Sequence, residues 1–545
     1  MRFKSRFVIT LAVIMAVKGE PSPLPLSVDW GATAAPVPTS NGKSSLPSGK
    51  ETISPIDASK YAVKSLPDAQ PIPRSWAGRM SVPGAAPGNE MFFWLFEPED
   101  KAYNDNLLIW LNGGPGCSSM IGAFAENGPL MFLKDMSKLE RNPYSWTKLG
   151  HVLYIDQPVG TGLSLSSDPT PATNNESVTE LFYSWIKQFY EVFPHLLRKR
   201  THLMGESYAG IYIPYFADRI LKHKDQLSIN LSSVVIGNGA IGNNIAMSDV
   251  AAGAYLKEKA RDLELPGDIS GAFSQADHIC GFDSVLKKAA QYPSQGHFYL
   301  PSCLTNPSGF TTDENCNMKP KDSRAVLSSI LNSTCYGQCA TYSTAQKYIE
   351  TARETKCFSR YNIKYNCNTP NPLVPLTEYL NRADVQAALN VLPSKSGTPH
   401  RFETCNQTII DSLLSPSIQP TPPTESILPS ILATYKIPIH IYQGQLDMVI
   451  NHIAVELVLQ NMTWNGKQGL QSRPSIPFGT YFDINKGESK VTLNGSEAGV
   501  WAYERGLSYH LFREAGHGVP RDQPEEMWHY VKNVVVGRWS GRFRE

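Results

Sequence analysis

Two kinds of apolar spacing alternate along most of this chain. Short apolar runs, each closed by a polar or glycine-rich turn, read as buried strands: "NLLIWLNGGPG", "HVLYIDQPVGTG", "THLMGES", "LSSVVIGNG", "KIPIHIYQGQLD" and "LSYHLFREAGHG". "RSWAGRMSV" and "NEMFFWLFEP" open the series as further strands. Between the runs stand segments with apolar residues at helical spacing. "ESVTELFYSWIKQFYEVFPHL" is a helix ending near Pro194, "YAGIYIPYFADRIL" follows the turn at Ser207, and "PEEMWHYVKNVVVG" closes the chain as a helix. Strands alternating with helices, with polar residues at the strand ends, predict an α/β fold. Its mostly parallel central sheet is flanked by helices, and its crevice lies at the carboxyl ends of the strands.

Three regions depart from this rhythm. Residues 1–19 carry Arg2, Lys4 and Arg6 ahead of an apolar stretch at 7–17, which is too short to span a bilayer and reads as a signal peptide; an uncleaved anchor is the alternative. Residues 20–73 are rich in Pro, Ser, Ala and Gly and read as a leader or pro-segment, or else as an arm lying on the body. Residues 241–415 are helical in places and rich in Cys, Pro and Asn. Because the sheet pattern resumes beyond them, they read as a largely helical cap inserted between a first core part, 74–240, and a second, 416–545, rather than as a second independent domain.

Composition adds a compartment. The 545 residues are 41% apolar and 18% charged with a formal net charge of +1, so nothing points to nucleic acid or to an anionic membrane surface as partner. Seven of the nine cysteines (Cys280, Cys303, Cys316, Cys335, Cys339, Cys357 and Cys367) crowd one interval, as disulfides in an oxidising compartment would. Their spacing matches no zinc-finger pattern, so no metal site is expected. Glycosylation sequons begin at Asn175, Asn230, Asn332, Asn406, Asn461 and Asn494. The expected location is extracellular, with the vacuole as second choice.

The candidate chemistry lies at strand ends. "GESYAG" approaches the G-x-S-x-G nucleophile elbow, a strained strand-to-helix turn that would expose Ser207 above the sheet. On that architecture the acid and then the histidine follow in chain order. Asp447 ends a late strand, and His517 sits in a glycine-flanked turn after the next. His440 lies inside an apolar run, and His452 is placed to start a helix. Asp411, Asp483 and Asp522 lack the strand-end context.

In "WLNGGPGCSS", "ENGP", "IDQPVGTGLS", "GESYAG", "IGNG", "YQGQLDMVIN" and "GHGVPRDQP" the chain resembles the serine carboxypeptidases of the α/β-hydrolase fold, from about residue 75 to 539. The resemblance implies Ser207 as nucleophile, His517 as general base and then acid, and Asp447 as its orienting partner. It implies an oxyanion hole from the backbone N–H groups of Gly114 and Tyr208. It assigns Asn112, Glu206 and the Gly113 N–H to a substrate's C-terminal carboxylate, supported by Glu126 and Trp110. It also implies a route without cofactor, and Cys117 as a cysteine tied to a distant one, for which Cys405 is the candidate.

This assignment explains an odd neighbour. Glu206, directly before the nucleophile, would oppose a developing oxyanion if charged. Crowded carboxyls instead hold a shared proton, and through it they can bind a carboxylate. The expected activity is release of C-terminal residues from peptides and proteins through an acyl-enzyme, favoured at acid pH. An acyltransferase on the same scaffold and a catalytically silent binding glycoprotein are the rivals. The chain departs from the family at Gln445, Ile450 and Gly518. Ile450 stands where relatives often carry Cys, and Gly518 suggests a roomier pocket for the leaving residue.

Overall fold

The computed structural model describes residues 57–537 apart from 133–137, 169–171, 301–320, 332–338, 354–355, 393–399, 416–419 and 480–496. The apolar runs form one eleven-stranded sheet. In chain order its strands are β1 Ala62–Val63, β2 Ser75–Ser81, β3 Glu90–Phe96, β4 Asn106–Leu111, β5 His151–Asp156, β6 Arg200–Glu206, β7 Leu231–Gly237, β8 Ile439–Gly444, β9 Ile476–Phe478, β10 Gly499–Glu504 and β11 Leu507–Phe512. Their spatial order is β1-β2-β3-β5-β4-β6-β7-β8-β11-β10-β9. The six middle strands, β5 to β11, are mutually parallel, and the antiparallel pairings lie at the two edges. Every residue of β4, β5, β8 and β11 is buried, as strands covered on both faces require.

The period of two divides each strand between two cores. In β4, Leu107, Ile109 and Leu111 face the layer that contains Phe182, Phe189 and Ile213. Leu108 and Trp110 face the opposite layer, with Phe124, Trp146 and Tyr530. Helix α1 is Met120–Ala125, α2 is Asn175–Val192 and α3 is Ala209–Lys222. The Asn174 side chain caps α2, which ends just before Pro194.

Between β7 and β8 all the described elements are helical, among them Asp249–Glu258, Gly267–Ile279, Thr341–Ala352, Leu373–Leu380 and Gln407–Leu413. Their apolar residues join the sheet's own two cores: Val250 and Phe273 on one face, Leu376 and Leu380 on the other. Disulfides link Cys117 to Cys405, Cys280 to Cys339 and Cys357 to Cys367. Cys303, Cys316 and Cys335 lie outside the described residues, as do residues 1–19.

One expected boundary moves. The leader read as 20–73 contains a folded stretch from Asp57 onward. Tyr61, Val63 and Leu66 are buried, β1 pairs with β2, and the Pro67 carbonyl accepts from Tyr379 Oη at 2.7 Å. Three buried apolar side chains in a Pro-rich context are too sparse a pattern to reveal an edge strand. Among the described residues no helix is long and apolar enough to cross a membrane.

Candidate active site

β6 ends at Glu206, α3 begins at Ala209, and the turn between them holds Ser207 at φ +64°, in the left-handed region. That conformation costs a residue with a Cβ roughly 1–3 kcal/mol. It is held by the Ser207 N–H to the Gly237 carbonyl at 3.0 Å, and by the Ser207 carbonyl accepting from Gly210 N at 2.9 Å and Ala240 N at 3.0 Å. The start of α3 lies beside the serine, where its partial positive charge favours a developing anion.

The second glycine turn lies against this elbow. A Cβ at Gly113 would sit 2.4 Å from Tyr208 N and 2.8 Å from Ser207 Cβ, so only glycine permits the approach. Among the described residues, the N–H groups of Gly114 and Tyr208 donate to no protein acceptor. Buried Asp156 anchors the turn from beneath, accepting from Ser118 Oγ at 2.7 Å, Ser119 N at 2.8 Å and Leu163 N at 2.8 Å. Burial lifts its carboxyl to about 6.

His517 and Asp447 meet. His517 Nδ1 lies 2.7 Å from Asp447 Oδ2, both groups are buried, and His517 Nε2 has no hydrogen-bond partner among the described residues. Asp447 is held on all sides. Oδ2 also accepts from Asn238 Nδ2 at 2.8 Å, and Oδ1 accepts from the Val449 N–H at 2.8 Å and the Ile450 N–H at 3.3 Å. The His517 backbone N–H donates to the Tyr361 carbonyl at 2.6 Å, and the Tyr361 ring packs edge-on against the imidazole at 5.2 Å. Asp522 pins the same turn by accepting from Gly516 N at 2.7 Å and Asn362 Nδ2 at 2.9 Å.

Sequence reasoning gave no role to Asn238, Tyr361 or Asp522. The "IGNG" motif carried a signal for the first; Tyr361 acts from a distant segment, and Asp522 ties a turn six residues back to distant Asn362. His440 lies inside β8 with Nδ1 2.9 Å from Ser508 Oγ, and burial lowers its pKa to about 3. His452 starts a helix and bonds Glu258 at 3.1 Å. Asp411 is exposed beside Gln407, and Asp483 is outside the described residues.

Next to the serine is a buried carboxyl pair. Asn112 Nδ2 donates to Glu126 Oε1 at 3.1 Å and to Glu206 Oε1 at 3.1 Å. Asn112 Oδ1 accepts from Trp110 Nε1 at 2.9 Å and Gly122 N at 3.0 Å, so the amide is fixed in its plane. Burial lifts Glu126 to about 7. Burial, with the Glu126 charge alongside, pushes Glu206 well above the usual carboxyl range. Oε2 of each has no hydrogen-bond partner beyond this pair among the described residues. Both amide hydrogens of Asn112 are engaged here, so an incoming carboxylate reaches it by taking over one of those bonds.

The sequons differ in access. Asn175 is only 2% exposed and its Nδ2 donates to Tyr208 Oη at 3.1 Å, which leaves no room for a glycan; that candidate is withdrawn. Asn406 Nδ2 donates to the Gly160 carbonyl at 2.9 Å, and Asn461 Nδ2 to the Phe298 carbonyl at 3.1 Å. Asn230 is exposed, and Asn332 and Asn494 lie outside the described residues. Among the described residues no three His, Cys, Asp or Glu side chains converge as metal ligands.

The chain matches the serine carboxypeptidase family over residues 68–537. It is 49% identical to a carboxypeptidase Y homolog of Arthroderma benhamiae, across 88% of this chain and 94% of that relative. It is 30% identical to the pheromone-processing carboxypeptidase kex1 of Aspergillus clavatus, across 86% of this chain and 69% of that one. The crystal structure of a prohormone-processing carboxypeptidase from Saccharomyces cerevisiae superposes with a TM-score of 0.65 at 24% identity, over 88% of this chain and 96% of the other, a likeness of fold.

Proposed function

The chain belongs to the serine carboxypeptidase family, and from that premise we propose that Ser207, His517 and Asp447 remove the last residue of a peptide through an acyl-enzyme. The family's acid-favoured chemistry on peptide substrates supports this reaction. Ser207 Oγ attacks the carbonyl carbon of the final peptide bond while His517 Nε2 takes its proton. Asp447 keeps Nδ1 protonated and stabilises the imidazolium. The oxyanion receives the N–H groups of Gly114 and Tyr208. As the C–N bond breaks, His517 returns the proton to the departing amine. Water, deprotonated by the same imidazole, then releases the acyl group and restores the serine.

The substrate's free carboxylate enters beside Glu206. Through a proton held by the Glu126–Glu206 pair, Glu206 hydrogen-bonds it, with the Gly113 N–H and Asn112 assisting and Trp110 keeping Asn112 in place. The observation that carries this reading is the single Asn112 amide bridging two buried carboxyls next to the nucleophile. Action outside the cell, with the vacuole as second choice, fits the signal-like N-terminus, and among the described residues Asn230 is the exposed sequon.

Digestion of a defined peptide set at several pH values, read by mass spectrometry, tests the proposal. Stepwise loss of single C-terminal residues is expected, with organophosphate labelling abolished by Ser207→Ala. Cleavage of C-terminally amidated peptides at internal bonds would overturn it.

A further inference from the structure

The residue that leaves has little freedom. Its nitrogen must reach Ser207 and His517 Nε2 while its carboxylate reaches Glu206, with one α-carbon between. Its side chain therefore departs from the space between the His517 turn and the carboxyl pair. On that turn the next residue is Gly518, and a Cβ built there would meet one atom within 4 Å, Arg521 Cβ at 3.8 Å. Arg521 lies three residues on, its N–H bonded to the Gly518 carbonyl at 3.1 Å, so both residues share one face of the short helix.

Arg521 is half-buried. It donates to the Pro370 carbonyl and lies 5.1 Å from the Tyr365 ring centroid. Among the described residues it forms no salt bridge, although its charge acts on Glu126 inside the pair. The neighbouring carboxylates are committed elsewhere: Asp522 to Gly516 and Asn362, Glu126 to Asn112. A cation held in place without an anion, beside an opening that a glycine leaves, suits a carboxylate brought by the substrate.

Building on the function proposed above, we infer that Arg521 is a specificity residue: through the opening at Gly518 it favours an acidic side chain on the C-terminal residue being removed. Arg360, next to Tyr361 and hydrogen-bonded to it, adds a second positive charge near this wall.

The test compares peptides identical except for a last residue of Glu, Gln or Lys, at about pH 6, where a Glu side chain is ionised. The wild type should show kcat/KM about tenfold higher for Glu than for Lys, with Gln between. Arg521→Gln should bring the three within about threefold, Arg521→Lys should retain part of the preference, and Arg521→Glu should reverse it. Equal wild-type rates for Glu and Lys would overturn the inference, as would a uniform loss on all three peptides in Arg521→Gln, which would assign Arg521 to the α-carboxylate. A preference that survives Arg521→Gln but is lost in Arg360→Gln would also overturn it. Failure of the wild type to shorten any of the peptides would instead overturn the carboxypeptidase reading itself.

Discussion

Asn238 donates its side-chain N–H to Oδ2 of Asp447 across 2.8 Å, the same oxygen that faces His517. Asn238 Oδ1 accepts from Gly444 N at 3.2 Å, which fixes the direction of the amide. Asn238→Ala should leave the Asp447 oxygen with one partner and let the imidazole swing. A hydrogen bond to a charged group is worth about 1.5 kcal/mol or more, so kcat should fall about tenfold with KM little changed. Steady-state kinetics on one peptide check this; a changed KM at constant kcat would assign Asn238 to substrate binding instead.

Glu206→Gln separates recognition from chemistry. Burial raises both carboxyls of the pair, Glu126 to about 7 and Glu206 well above the usual carboxyl range, so the pair is protonated at acid pH and gives up its protons as pH climbs through and beyond about 7. The wild-type KM for a peptide with a free C-terminus should rise across that window, while an ester lacking the carboxylate should change less. Glutamine keeps the shape without titrating. It should flatten the peptide profile and lower peptide kcat/KM at pH 5 by about 10- to 100-fold, leaving ester turnover nearly intact. If peptide and ester KM rise in parallel for the wild type, the shared-proton mechanism fails.

Asp277 offers a stability test away from the site. It is buried against helix Asp249–Glu258, where a Cβ at Gly253 would lie 2.1 Å from its Oδ2. Burial lifts its carboxyl from 3.8 to about 7. The native state therefore keeps a proton that the unfolded chain releases near pH 4, and stability contributed below that point drains as pH rises to about 7. The rise from 3.8 to about 7 corresponds to on the order of 4 kcal/mol above pH 7. Asp277→Asn should raise Tm at pH 8 and change it little at pH 4. A uniform Tm shift at both pH values, in thermal melts followed by circular dichroism, would point to a packing effect instead.

Glycopeptide mapping of the protein expressed through a secretory pathway should find Asn230 occupied and Asn175 bare. The Asn175 amide nitrogen, where a glycan would attach, is bonded to Tyr208 at the start of α3. Occupancy at Asn175 would require α2 to fold differently at its first turn.

Much of the fold was legible because buried parallel strands write themselves as continuous apolar runs, as "NLLIWL" does, and because Ser207, Asp447 and His517 each close such a run. Asn238 was missed: an asparagine after a strand looks like any turn residue until Asp447, 209 positions away, is seen to need a donor. Asp522 was set aside as an acid without a strand; its work is to fix the His517 turn by accepting from Gly516, a contact across six residues that depends on turn geometry. The sequon at Asn175 stood among the glycosylation candidates because a tripeptide says nothing of burial. The strand at Ala62–Val63 was lost in a proline-rich stretch whose composition outweighs its three apolar anchors.

The Cys117–Cys405 bond spans 288 residues, and no cysteine follows Cys405 in the chain. Every described cross-link therefore lies on the nucleophile's side of that point. Asp447 and His517 ride on a stretch held to the Ser207 part by pairing of β8 with β7, by hydrogen bonds such as Asn238 to Asp447 and by the shared cores, without any described covalent tie other than the main chain itself. A protease cut between Cys405 and Asp447 would turn the enzyme into a two-piece assembly whose halves part in denaturant even without reductant. A cut between Cys117 and Cys280 would leave both pieces bound until the disulfide is reduced. Gels run with and without reductant after such nicks would tell the two apart, and activity regained on dilution would measure how well noncovalent contacts reunite base with nucleophile.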